Sequence, residues 1–283
     1  MFLNNNEPKT TAPRSGVMLT VSAICTFFVL GWVLWSCRYG IDFADEGFYL
    51  VWISNPSKYS TSITQFGFIY HPLYALLDGS IAALRQFNIL ITFSLAWALS
   101  NFFLKSVLGK QTLERAPRYI IAAAFSTASL VFLRLWLPTP SYNWLAFQAL
   151  LVSAIGLLLA DKKASTESFA GWLLLGVGGW LAFMAKPTTA VALGLCSGLY
   201  LLASGKLNAR LLATSLLTAF GLLFLSALII DGSIINFIDR LKEGMKLAEL
   251  LGAGHKFSQL FRLDDFVFFV RGKIGRASCR ERV

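Results

Sequence analysis

A chain of 283 residues that is 56% hydrophobic, only 14% charged and formally +10 at neutral pH lies well outside the soluble range of about 45–50% apolar and about 25% charged residues. Apolar runs of about 17–20 residues recur along it, each long enough to cross a hydrocarbon core of about 30 Å. These features exclude a soluble globular protein and specify an all-α polytopic membrane protein, in which the surplus of Lys and Arg reports topology and no nucleic-acid partner is expected.

In chain order, residues 1–15 are a polar tail carrying Lys9 and Arg14, followed by a first span over 16–36. That run is longer than a signal-peptide core, and Trp32, Trp35 and Cys37 stand where small residues would mark cleavage, so it reads as a retained helix. An outer loop over 37–86 holds Asp42, Asp45 and Glu46 and is expected to be helical. Pro72, in Tyr70-His71-Pro72-Leu73-Tyr74, predicts a break, because the residue before a proline is pushed out of the helical region. The stretch 73–84, interrupted by Asp78-Gly79, suits a helix lying at the membrane interface. A second span follows Arg85 over 87–104, then a basic loop to 118 and a third span over 119–137 with Arg134 near its end. After a short connection at 138–143, spans are expected over 144–160, 169–185, 188–204 and 211–230, with Lys186-Pro187 between the fifth and sixth.

Residues 231–265 are amphipathic, and a further apolar run opens over 266–273. Residues 274–283 resemble a translated sequencing-library adapter, an abrupt switch to a polar, Arg-rich tail, so native sequence is expected to end near Lys273. Cys25, Cys37 and Cys196 show no paired or metal-like spacing and read as small apolar packing residues.

Charge distribution orients these spans. The tail and the loops after spans 2, 4 and 6 carry Lys9, Arg14, Lys105, Lys110, Arg115, Arg118, Lys162, Lys163, Lys206 and Arg210, whereas the loops after spans 3 and 5 carry only Lys186. The positive-inside bias places the N-terminus in the cytoplasm. The acidic loop, the 138–143 connection, Lys186 and the amphipathic segment then share the extracytoplasmic face. No phosphate loop, dinucleotide fingerprint or zinc-ligand spacing is present, and two histidines give little support to a Ser-His-Asp site.

Carboxylates beside a bilayer are costly unless they act, which makes Asp45 and Glu46 the first candidates for chemistry. Their structural reading is a helix start, with Asp42 as the cap and Glu46 in the first turn. Adjacent helical residues point in different directions, so the two are not expected to be equal partners. One outer-face carboxylate with several cations suits transfer of a sugar from a lipid phosphate. Such a reaction needs one general base for the acceptor and positive charge for a phosphate that leaves readily. Cations for that role are His71, Arg85, Arg134 and Lys186. Two carboxylates could also seat a divalent cation, though they do not specify one.

The chain resembles the GT-C glycosyltransferases, in particular protein O-mannosyltransferases and bacterial aminoarabinose transferases. The resemblance rests on Asp45-Glu46 with Tyr49, on His71-Pro-Leu-Tyr74, on Arg85 opening the second span, and on a glycine-rich fifth span, 171–186, ending in Lys186. It covers about residues 15–265 and implies a seven-helix module, a polyprenyl-phosphate sugar as donor and a lipid, glycan or protein acceptor. It further implies Asp45 as base and Tyr49, His71, Arg85 and Lys186 at the substrate. Inversion at the anomeric carbon, with Glu46 orienting Asp45 or the acceptor, is the expected course; Arg134 and Asn143 share the outer face and are read either as substrate contacts or as an interfacial anchor and a turn residue. His71 departs from the lysine that many relatives carry before that proline. A bacterial inner-membrane location is expected. The rivals are a multi-span transporter or lipid flippase, which would place ionisable residues or broken helices at mid-membrane, and a non-catalytic scaffold, in which Asp45→Asn would be silent.

Overall fold

The computed structural model describes residues 12–40, 45–58, 60–108, 115–134, 137–163 and 165–250. Asp42, residues 251–265, the apolar run at 266–273 and the tail at 274–283 lie outside the described residues. The fold is all-α and polytopic. Helix α1 spans Ala12–Ser36, α2 Glu46–Ser54, α3 Phe66–Leu76, α4 Ile81–Leu108 and α5 Arg115–Ser126, which continues as a tighter 3-10 stretch over Thr127–Arg134. After it come α6 Tyr142–Leu159, α7 Thr166–Ala185, α8 Pro187–Ala203, α9 Ala209–Asp231 and α10 Ile234–Leu250. Among the described residues, six segments are long and apolar enough to cross a membrane: α1, α4, α5 with its 3-10 extension, α6, α7 and α9. Helix α8 is shorter, at 17 residues. Its two flanks nevertheless meet opposite ends of α6, Lys186 at Asn143 and Lys206 at Leu157, so α8 runs the length of that helix.

Local chemistry explains several of the helix ends. Ser141 caps α6 by accepting from Trp144 N, Ser165 caps α7 through Ser168 N, and Asn208 caps α9 through Arg210 N and Leu211 N. Pro187 begins α8 and forces Lys186 into extended backbone (φ −156°, ψ 118°), which stops α7 at Ala185. Helix α9 ends at Gly232 in the left-handed region (φ 67°), the usual C-terminal glycine stop.

Two expectations near the first loop are corrected. Pro72 does not break its helix: it lies inside α3, even though a proline there removes one backbone hydrogen bond. The two residues before it hold the helix in place, Tyr70 by donating to Gln148 Oε1 (2.9 Å) and His71 by donating through Nδ1 to the Ile53 carbonyl (2.8 Å). The interfacial helix expected over 73–84 is also divided. The turn at Asp78-Gly79, both with positive φ, ends α3, and residues from Ile81 onward already belong to α4. Arg85 is therefore inside the crossing helix rather than ahead of it, where the charge of Glu46 compensates its own.

In lipid, helices gain little from apolar contact alone and associate where small residues let backbones approach. Helices α6 and α7 do so: a Cβ on Gly156 would lie 2.8 Å from Gly171 O, and one on Gly171 only 2.6 Å from Ala160 N. Helix α7 in turn packs on α9 and α8. By contrast α1, whose outward Phe27 is 81% exposed, offers most of its surface to lipid. Its contacts run to α5 and the 3-10 stretch.

A buried polar network ties the first loop to this bundle. Tyr70 O–H donates to Gln148 Oε1, and Gln148 Nε2 donates to Asn88 Oδ1 (2.8 Å) and Thr92 Oγ1 (3.0 Å). Asn88 Nδ2 donates in turn to the Pro138 carbonyl (3.0 Å). Gln148→Leu orphans the Tyr70 hydroxyl and the Asn88 carbonyl oxygen, each at about 1–3 kcal/mol. The expected result is a lower Tm in detergent and earlier proteolysis of the loop, while an unchanged Tm and cleavage pattern would remove the network from the list of fold determinants.

Candidate functional site

The helix α2 begins at Glu46 with Asp45 at its N-cap position, and Asp45 makes no side-chain cap. The two carboxylates consequently diverge. Asp45 is exposed and accepts a hydrogen bond from the Tyr49 hydroxyl one turn on (3.4 Å). Glu46 is 1% exposed and paired with Arg85, itself 3% exposed.

Around that pair the chain closes a hydrogen-bonded knot. The Arg85 Nε donates to Glu46 Oε1 (2.9 Å) and Thr139 Oγ1 (3.0 Å), its Nη1 to the Cys37 carbonyl (3.1 Å) and its Nη2 to the Gly40 carbonyl (3.0 Å). The Thr139 hydroxyl donates to Glu46 as well. One guanidinium thus fixes the end of α1, the start of α2, the helix α4 and the 138–141 connection. Arg85 departs here from its expected place at a lipid phosphate, since its donors are turned onto protein acceptors. Sequence reasoning missed Thr139; its position between Pro138 and Pro140 held the only available signal, a hydroxyl in a rigid connection.

The buried Tyr49 of α2 meets a second group. Tyr49, Phe66 and Tyr142 contact one another edge-on, with ring centroids 5.8–6.1 Å apart. The Lys186 ammonium sits 4.5 Å above the Tyr142 ring and donates to Asn143 Oδ1 (2.7 Å). Lys186 reaches this position because Pro187 holds it extended at the α7–α8 junction, while Ser141 starts α6 so that Tyr142 and Asn143 occupy its first turn. The amide Asn143 Nδ2 is buried and has no hydrogen-bond partner among the described residues, so it is a donor ready for an added oxygen. Burial lowers the Lys186 pKa below the ordinary lysine value. Burial also pushes the Tyr49 phenol above its ordinary range, with Tyr142 and the Asp45 carboxylate adding to the effect. Tyr49 therefore stays protonated as a donor to Asp45.

Of the sequence-derived candidates, Asp45, Tyr49, Asn143 and Lys186 form one cluster through Tyr142, with Glu46 and Arg85 beneath it. His71 stands apart: its Nδ1 bonds Ile53 at the far end of α2, about 12 Å along that helix from Asp45 at 1.5 Å per residue. Arg134 is described only as backbone at the end of the 3-10 stretch, and its side chain lies outside the described set. No group of three or more His, Cys, Asp and Glu side chains gathers among the described residues. Helix α10 lies across the same loop: its Gly244 packs so closely on Ser62 that a Cβ would come 2.6 Å from the Ser62 carbonyl carbon. Arg240 anchors α10 to Asp231 (Nε–Oδ2 2.8 Å) and covers the Phe68 ring.

Fold and site together define a polytopic α-helical membrane protein with a carboxylate and a desolvated lysine displayed at one end of the bundle. Comparison of the chain with protein-family models, curated proteins and solved structures gives no match.

Proposed function

We propose that the protein is a membrane glycosyltransferase of the GT-C type, which moves a sugar from a polyprenyl-phosphate donor to a hydroxyl acceptor on the extracytoplasmic face. The observation that carries this reading is the pairing of an exposed carboxylate, Asp45, with a half-buried ammonium, Lys186, across the Tyr49–Tyr142 contact. A base and a phosphate-binding cation are the two parts that such a transfer needs.

In the proposed reaction Asp45 takes the proton of the acceptor hydroxyl. The acceptor oxygen then forms a bond to the anomeric carbon as the bond from that carbon to the phosphate oxygen breaks, with inversion. Polyprenyl phosphate leaves carrying the bonding electron pair, and Lys186 and Asn143 Nδ2 neutralise and bond its oxygens. Tyr49 orients Asp45. Glu46 and Arg85 position the loop and touch no reacting atom. The charge of Glu46 is already met by Arg85, which leaves Asp45 as the carboxylate of the pair that faces the acceptor.

Because kcat/KM reports groups of the free enzyme, its alkaline limb is expected at a pH below that of an ordinary lysine, set by the depressed Lys186 pKa. Lys186→Arg keeps the charge and moves the limb upward. Lys186→Met lowers kcat by about 10²–10³-fold, the usual cost of removing one charge-stabilising donor. The stability linkage has the opposite sign. Burial penalises the charged lysine fully below its folded-state pKa, and the penalty relaxes as pH rises from that value to the unfolded one. The measurement is sugar transfer from labelled polyprenyl-phosphate donor across pH, and a limb unmoved in Lys186→Arg would detach this lysine from the reaction.

A further inference from the structure

At the opposite end of the bundle, far from the acidic loop, two cavities of contrasting character adjoin. One, of about 500 Å³, is almost wholly apolar and is lined by Phe103, Phe125, Ala154, Leu157 and Tyr200 among others. Its volume falls in the ordinary ligand-pocket range of about 300–1,000 Å³. The other, of about 340 Å³, is lined by Lys105, Asp161, Glu167 and Lys206 with Ser106 and Ser165. Leu158 lines both. Lys206 joins them further: its ammonium donates to the Leu157 carbonyl (3.3 Å) and lies 5.8 Å from the Tyr200 ring, and both residues wall the apolar cavity.

We infer that these two cavities form a single site for an ethanolamine phospholipid, with an acyl chain in the apolar cavity and the zwitterionic headgroup in the polar one. The apolar part is walled by four different helices, α4, α5, α6 and α8, and presents almost no polar surface. The headgroup assignment rests on charge balance. Two lysines and two carboxylates line the polar cavity, so an anionic headgroup gains no net attraction there, whereas a phosphate and a primary ammonium each find opposite partners. Lys206 is placed for the phosphate. Asp161, whose carboxylate accepts only from the neighbouring Lys162 amide (2.6 Å) among the described hydrogen bonds, is placed for the ammonium. Lys105 and Glu167 already pair with each other (3.0 Å) at exposures of 38% and 71%, and they can open toward either headgroup charge at little cost.

The test is native mass spectrometry of the full chain in detergent, titrated separately with phosphatidylethanolamine, phosphatidylcholine and phosphatidylglycerol of identical acyl chains, with Tm recorded for every variant. Retention of the ethanolamine lipid about tenfold above the other two is expected. Asp161→Asn should abolish the preference over phosphatidylglycerol, Lys206→Gln should lower retention of all three, and Ala154→Trp should block the chain and remove binding whatever the headgroup. Equal retention of the three lipids, preference for phosphatidylglycerol, no retained lipid, or an Asp161→Asn chain that keeps the wild-type selectivity would each overturn the inference. Since Asp161 is exposed and Lys206 half-buried, both polar variants should keep the wild-type Tm, so their result is readable even where Ala154→Trp destabilises the chain.

Discussion

Asp45→Asn should reduce sugar transfer by about 10²–10⁴-fold, the contribution of a positioned general base, and leave the fold intact. Asp45 is exposed, makes no side-chain cap to α2 and accepts one long hydrogen bond from Tyr49, an interaction that an amide oxygen can also accept. Tm should therefore stay at the wild-type value while turnover collapses. The assay measures product from labelled polyprenyl-phosphate sugar. Wild-type transfer by Asp45→Asn would sink the proposed mechanism. No transfer by either chain, together with movement of a lipid or solute across the bilayer, would favour the transporter reading instead.

The second large effect is structural and falls on the neighbouring residue. Removing one partner of a buried ion pair costs about 3–5 kcal/mol, because the other charge is left in a medium that cannot solvate it. Glu46→Gln and Arg85→Met should each lose stability on that scale. Arg85→Met should lose more, because it also orphans the Cys37 and Gly40 carbonyls. The double variant Glu46→Gln/Arg85→Met should recover part of the loss, since no isolated charge then stays buried. The readouts are Tm in detergent and protease sensitivity of the 37–80 loop. Additive losses in the double variant would show that the two side chains do not act as a pair. Contrast with Asp45→Asn separates the roles: one substitution costs turnover at constant Tm, the other costs Tm first.

Those two predictions differ for residues that are adjacent, identical in charge and indistinguishable by composition. A helix turns by roughly 100° per residue, so neighbours must face different surroundings, but the direction of each depends on what the rest of the chain places there. Glu46 meets Arg85 from 39 residues away and Thr139 from 93 residues away. Local sequence carries no trace of either meeting. For the same reason Arg85 reads in sequence as a free cation at the head of a span and is in fact enclosed. His71 reads as part of the acidic site and in fact bonds the far end of α2.

Proline shows the boundary between the two kinds of information. At Pro187 the local rule suffices: Lys186 leaves the helical region, α7 ends, and a lysine is delivered to the site. At Pro72 the same rule fails, because Tyr70 and His71 are each held by a long-range partner and α3 runs on through the proline. The third crossing is similar. An apolar run marks it in sequence, and only the folded chain turns its second half into a tighter 3-10 stretch at Thr127–Arg134.

By itself, then, the amino-acid sequence determined that this is an all-α membrane protein and where its apolar segments lie. Each crossing is fixed by burying some twenty consecutive side chains in hydrocarbon, a sum of local terms that needs no partner. Tertiary structure alone decided which carboxylate is exposed and which is paired. It also decided that Lys186 rests on Tyr142 beside an Asn143 amide nitrogen without a partner among the described residues, and that a balanced polar cavity adjoins an apolar one at the far end of the bundle. Those outcomes depend on the low dielectric between helices, where a charge must find a specific partner or stay at the surface.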